Sequence, residues 1–179
     1  MSRQSPNSKW PLRISRYLIP VEVVSTTQNY LRRLGTEHLE GIAYWTGIFK
    51  RNEAIVRSAI FPGDYADNPK SGWGFSHVDL ETAFKVGNEI HKRKEYLFIQ
   101  LHTHPFEAFH SYTDNNYPIS HRLGFISIVI PHFAKGPMKN RNTWKVYEYQ
   151  GKGKWRTLGR REIMKRFVIM VACDEQGDQ

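Results

Sequence analysis

The chain has 179 residues, 40% hydrophobic and 13% aromatic, a globular composition long enough to bury its own core. Lys and Arg number 26 against 17 Asp and Glu, for a net charge of +9. The single cysteine, Cys173, excludes an internal disulfide, and no apolar run approaches the ~20 residues of a membrane helix or follows the basic N-terminus as a signal segment. A secreted, disulfide-built or membrane-spanning protein is not expected, and a cytoplasmic one is.

Residues 1–15 read as a polar lead-in, 16–173 as one domain and 174–179 as a tail. Residues 16–24 are rich in β-branched and aromatic side chains and predict a strand, which Pro20 assigns to an edge or a bulge. A short helix is expected over 26–34, with Ser25 as its cap and Gly35 as its stop. Residues 40–50 and 54–61 predict two strands joined by a turn, and the Pro- and Gly-bearing stretch 62–74 predicts a loop. The clearest helix spans about 77–92. Ser76 is its expected cap, with Asp79 at the capping-box offset. Leu80, Ala83, Phe84, Gly87 and Ile90 form its apolar face, and Lys92, Arg93 and Lys94 complement its dipole.

Residues 96–104 predict a strand, 105–120 a long loop, and 125–131 and 144–149 two further strands. A turn at 151–154, a short helix at 161–166 and a final strand over 167–173 complete the pattern. The expectation is an α/β (α+β) single domain, with a long helix between an upstream hairpin and the 96–104 strand of a mixed sheet.

The chemistry concentrates in LHTHPFEAFHSYTD, residues 101–114. His102 and His104 stand one residue apart, and on a strand that spacing puts both imidazoles on one face. Pro105 ends the strand, so the pair lies at its rim. Two such imidazoles begin a divalent-metal site, and Asp114 on the following loop can supply an oxygen. Three protein ligands and an open position are the arrangement of catalytic zinc, which makes hydroxide available near neutrality. An HxH pair alone is as readily a pair of capping or solvated histidines. The proline, the Ser-x-x-Asp unit and the lack of competing Cys ligands favour the metal. Cys173 has no flanking nucleophile motif and reads as a buried thiol, and His77, His91, His121 and His132 show no ligand spacing.

The charge is uneven. Between Lys139 and Arg166 ten basic residues stand against two acidic ones, Glu148 and Glu162, which is +8 of the net +9. Such a region attracts nucleic acid or an acidic protein partner, or is a solvated face.

His102-Thr103-His104-Pro105 followed by Ser111-Tyr112-Thr113-Asp114 closely resembles the metal motif of the JAB/MPN+ (JAMM) metallopeptidases, which include deubiquitinases. The family places a glutamate at the start of an upstream strand, seven residues ahead of a glycine, and here Glu40 precedes Gly47 by that interval. The resemblance covers residues 40–133, including GFISIVIPHF after the loop, and its one departure is six residues instead of seven between His104 and Ser111. It implies a JAB/MPN-like domain in which His102, His104 and Asp114 hold Zn²⁺. Glu40 is then the general base and acid, in preference to Glu37 and Glu53, and Ser111 donates to the oxyanion. His110, beside Ser111, reads as a solvated loop residue, with a polar role at the site as the alternative.

The activity implied is that of a prokaryotic-type isopeptidase or peptidase cutting after the C-terminal glycine of a ubiquitin-like protein. Its partners would be that protein or its conjugate, with activating and conjugating enzymes encoded nearby in bacterial operons, including antiphage systems. The basic stretch would receive an acidic ubiquitin-like partner. The alternative is a nucleic-acid-associated protein of the same fold, against which stands Thr103, where that branch carries Asn.

Overall fold

The computed structural model describes residues 14–66, 78–116 and 119–171. The lead-in up to residue 13, Ser76, His77 and Cys173 lie outside them. The strands are β1 (Arg16–Pro20), β2 (Ile42–Lys50), β3 (Glu53–Ile60), β4 (Tyr96–Thr103), β5 (Ile126–Ile130), β6 (Lys145–Gly151), β7 (Lys154–Thr157) and β8 (Phe167–Met170). The helices are α1 (Val21–Thr36), α2 (Leu80–Lys92), α3 (Tyr112–Asn116) and α4 (Arg160–Arg166). The eight strands among the described residues join one mixed sheet in the order β7-β6-β5-β4-β2-β3-β1-β8. The pairs β1·β3, β1·β8 and β4·β5 are parallel, and the other four are antiparallel. This is the expected α+β architecture, with α2 between the β2–β3 hairpin and β4.

Several local expectations are corrected. The first strand stops at Pro20, and Val21–Thr36 is helical. Val24, Thr27, Leu31 and Leu34 recur at helical spacing and are all buried, so burial outweighs the β preference of the valines. β1 is also interior, between β3 and β8, and Pro20 is tolerated because it closes the strand and leads into a helix. Gly35 does not stop α1 but lies in its last turn, where a Cβ would stand 2.3 Å from Phe133 Cβ.

The second helix starts at Leu80 with Asp79 as its cap, the Asp79 carboxylate accepting from Thr82 N–H at 2.9 Å. Its buried stripe is Thr82 and Val86, one flank away from the expected face, so Leu80 and Phe84 stay 87% and 70% exposed. The expected long loop contains α3, and the short stretch after Gly153 forms β7, whose single large apolar side chain is Trp155.

The residues of the two sheet faces alternate along β2. Ala43 and Trp45 belong to a large core with α1, Ile99, Leu101 and Trp144, whereas Ile42 and Tyr44 belong to a small one with Ile60 and Val86. Gly47 marks a register shift in β2, where a Cβ would lie 1.9 Å from the Ile55 carbonyl oxygen.

Candidate metal centre

His102 sits on β4 with Ile42 of β2 on one side and Val129 of β5 on the other, so it faces the small-core side of the sheet and is fully buried. His104 continues the strand direction. Its N–H donates to Ile130 O at 3.0 Å, and its carbonyl accepts from Phe133 N–H at 2.9 Å. That second bond comes from a tight turn in which His132, Phe133 and Ala134 have φ of 53°, 51° and 56°, a left-handed run costly for residues with a Cβ. α1 holds the turn: Arg32 Nε donates to Ala134 O at 2.8 Å and Gln28 Nε2 to Gly136 O at 2.6 Å. The helix on one face thus supports a ligand on the other.

Asp114 arrives from α3. Ser111 Oγ accepts from Asp114 N–H at 3.2 Å, and the Asp114 carboxylate accepts from Ser111 N–H at 2.7 Å. The Ser-x-x-Asp unit is therefore a reciprocal cap that aims the carboxylate. Asp114 Oδ2 lies 3.3 Å from His102 Nε2 and 3.8 Å from His104 Nε2. One ligand atom from each of the three buried residues falls within 4.8 Å of the others. Burial would raise the Asp114 pKa, but the two imidazoles and the Ser111 N–H outweigh it and hold the carboxyl far below the usual range.

Both ring nitrogens of His102 and Oδ1 of Asp114 are buried without a hydrogen-bond partner. Orphaned buried polar atoms are costly, and a divalent cation bound by His102 Nε2, the ring nitrogen that faces Asp114, would relieve part of that cost. The donor set therefore fits a metal ion.

The backbone places Glu40 beside this cluster. Gly41 N–H donates to Thr103 Oγ1 at 2.9 Å, and Thr103 N–H donates to Gly41 O at 3.0 Å, which fixes residue 40 next to the HxH unit. Glu40 also lines a small pocket with Tyr30, Leu34, Ile42 and Thr82. Burial raises its pKa, with His104 and His102 opposing and Asp114 reinforcing the shift. The rival carboxylates are elsewhere. Glu37 is exposed at the end of α1, and Glu53 pairs with Arg16 at the far end of the hairpin.

His110 is not a solvated loop residue. Its ring stacks on Tyr147 at 4.1 Å and meets the edge of Trp155 at 4.7 Å. Nδ1 lies 3.0 Å from Asn115 Oδ1 and Nε2 3.0 Å from Ser127 Oγ. Sequence reasoning missed Asn115, Ser127 and Tyr147. Asn115 follows the Ser-x-x-Asp unit directly, whereas Ser127 and Tyr147 carry no motif and reach the site through the strand registers.

The basic stretch is less uniform than its count suggests. Arg156 and Arg166 both bond Glu148 and Glu162, and Arg166 also reaches Ile14 O. The exposed Lys139, Lys145, Lys152, Lys154, Arg161 and Lys165 have no acidic partner among the described residues. No described helix is long and apolar enough to cross a membrane.

No family model matches the chain. It is 29% identical over 151 residues to a probable metalloprotease of Sinorhizobium fredii, across 84% of this chain and 92% of that one. A solution structure of a Desulfitobacterium hafniense protein shares the fold with a TM-score of 0.56 and 10% identity, over 89% of this chain and 97% of that one. A JAB1/MPN domain protein from Archaeoglobus fulgidus aligns with a TM-score of 0.46 and 17% identity, over 86% of this chain and 99% of that one.

Proposed function

We propose that this chain, which belongs to the JAB/MPN+ (JAMM) metallopeptidase family, is a zinc-dependent peptidase or isopeptidase. It cuts after the C-terminal glycine of a ubiquitin-like protein, freeing it from a lysine or maturing its precursor. The observation that carries the reading is the buried His102–His104–Asp114 cluster, in which His102 Nε2 and Asp114 Oδ1 have no hydrogen-bond partner. Two imidazole nitrogens and one carboxylate oxygen suit Zn²⁺ and leave a position open. Bound there, the ion supplies Lewis acidity towards a water molecule and the scissile carbonyl.

Glu40 takes the proton of the attacking water and delivers it to the leaving amine. Burial pushes its pKa up, the direction that strengthens a carboxylate as a base. Ser111 Oγ already accepts from Asp114 N–H, which leaves its own proton to donate to the developing oxyanion. The unpaired lysines of the basic stretch supply the attraction for an acidic ubiquitin-like partner.

The purified chain should carry about one zinc, and His104→Ala should lose most of it, because two protein ligands remain. Cleavage of a ubiquitin-like fusion should stop with chelator and return with zinc. A chain that takes up no zinc overturns the metal centre. One that takes up zinc and cuts other peptides but no ubiquitin-like fusion overturns the substrate class. Lys152→Glu with Lys154→Glu should raise KM and leave kcat nearly unchanged, an effect that salt removes. Arg156 is left intact because it is tied to Glu148 and Glu162. The nucleic-acid alternative instead requires salt-sensitive retention of DNA or RNA that the same pair of substitutions abolishes.

A further inference from the structure

We propose that His110 is a positioning residue that pins α3 to the sheet and thereby sets Asp114 as the third metal ligand. The inference rests on the metal centre proposed above.

The need for a pin follows from size. α3 has five residues, well under the roughly 12 that a helix requires to persist in water without tertiary support. The Ser111–Asp114 cap orients the carboxylate within its own turn, and its two hydrogen bonds both stay inside that turn. The attachment is made by the flanking residues. His110 Nε2 meets Ser127 Oγ of β5 at 3.0 Å, and His110 N–H donates to Tyr147 Oη of β6 at 3.1 Å. Trp155 Nε1 of β7 donates to Asn115 O at 3.3 Å. The contact from His110 Nδ1 to Asn115 Oδ1, at 3.0 Å, joins the two ends, so that Ser111 to Asp114 is bracketed.

The strand registers make this bracket a metal-centre device. Ser127 pairs with Gln100 on β4, two residues before His102, and Tyr147 pairs with Ser127 from the other side. Cross-strand partners share a face, so His110 is seated on the same side of the sheet that presents His102. The two rings are 6.3 Å apart. A shift of α3 along the sheet therefore strains the Ser127 and Tyr147 bonds together with the approach of Asp114 to the imidazoles.

The bonds also assign a proton. Asn115 Oδ1 only accepts, so Nδ1 carries the hydrogen and Nε2 accepts from the Ser127 hydroxyl. Burial, opposed by Asn115, lowers the His110 pKa to about 4, so the ring is neutral at physiological pH, as this pattern requires.

The test reads metal binding by the full chain, independent of any substrate. Zinc affinity is measured by competition with a chelating dye, and ligand geometry from the visible spectrum of the cobalt-substituted protein. His110→Ala should weaken zinc affinity by about 10- to 100-fold and alter the cobalt spectrum. His110→Gln, with a donor and an acceptor, should recover part of the loss. His110→Phe, which keeps the stacking alone, should not.

An unchanged affinity and spectrum in His110→Ala, or equal recovery by Phe and Gln, overturns the pin. If His110→Ala does not fold, Asn115→Ala and Ser127→Ala each remove one bond and should each weaken zinc several-fold. Wild-type affinity and spectrum in both would also overturn it. Failure of the wild-type chain to bind zinc or cobalt refutes the metal centre itself, which separates the two failures.

Discussion

On one face of the sheet α1 lays Val24, Leu31 and Leu34 against Trp45, Ile99 and Leu101, all essentially inaccessible to solvent. On the other face α2 contributes Val86 to a small cluster with Ile42, Tyr44 and Ile60, while Leu80 and Phe84 stay in solvent. The metal-centre residues belong to this thinner face. Hydrophobic burial scales with the area removed from water, so the α1 face carries most of the stability. The other face can then keep the unpartnered His102 imidazole and a desolvated carboxylate without unfolding the chain. The two meet at the left-handed turn of His132 to Ala134, which α1 holds and which in turn holds His104.

The comparison predicts that stability and turnover can be broken separately. On the α1 face, Trp45→Ala removes a fully buried ring and leaves Thr27 Oγ1 without the indole N–H that donates to it at 2.8 Å. The expected cost is about 3–5 kcal/mol, read as a lower urea midpoint. Zinc bound per folded molecule should be unchanged. A variant that kept its midpoint would mean that the α1 face is not the stabilising one.

On the metal face the expected effect is on rate. Glu40→Gln keeps the shape but cannot take a proton, so turnover should fall by about 10²-fold or more, roughly 2.7 kcal/mol in activation free energy. Zinc content and urea midpoint should match the wild type. If Glu53→Gln were inactive and Glu40→Gln active, the assignment of the base would be wrong.

The ion-pair cluster tests a third region. The Arg156 guanidinium, aided by Arg166, holds Glu162 down to about 2. Burial would raise Glu148, but Arg156 and Arg166 outweigh it and hold it below the usual range. Both folded-state values lie below the unfolded ones. This stabilisation is therefore complete above pH 5 or so and is lost as pH falls through about 4.5 towards 2. Arg156 is 41% exposed, so screening keeps the contribution to the order of 1 kcal/mol. Stability measured from pH 7 down to pH 2 should decline less steeply in Glu148→Gln with Glu162→Gln than in wild type. An identical acid limb would mean that these pairs add nothing.

How far the sequence reveals this division depends on whether a feature is local. The HxHP and SxxD units are local, and the structure brings their His102, His104 and Asp114 together. The β2–β3 hairpin was legible from its pattern, as was the GKGKW turn, where Gly151 and Gly153 have φ of 86° and 71°. Contacts set by distant registers were not. Val23 and Val24 read as strand until Trp45 and Leu31 supply a helical burial face. His110 reads as solvated because Ser127 and Tyr147 lie 17 and 37 residues away. Arg156 reads as part of a free basic run until Glu148 and Glu162 converge on it.

The smallest effect sharpens the contrast most directly. Leu80, Ala83, Phe84, Gly87 and Ile90 have the spacing of a core face, yet of these Ile90 packs on the small core, beside Val86, while Leu80 and Phe84 stay exposed. Phe84 lines an open groove of about 840 Å³ with Tyr44, Leu97 and Ile119. A side chain already 70% exposed recovers little burial on folding. Phe84→Ser should therefore move stability by no more than about 0.5 kcal/mol, in contrast to the several kcal/mol expected at Trp45. Val86→Ser, two residues away but 3% exposed, should cost several times as much, because it leaves a void and a buried hydroxyl. Urea midpoints of the two variants decide the matter. If Phe84→Ser proved the more damaging, α2 would seat on the sheet through its sequence-expected face, and the metal side would be as fully packed as the α1 side.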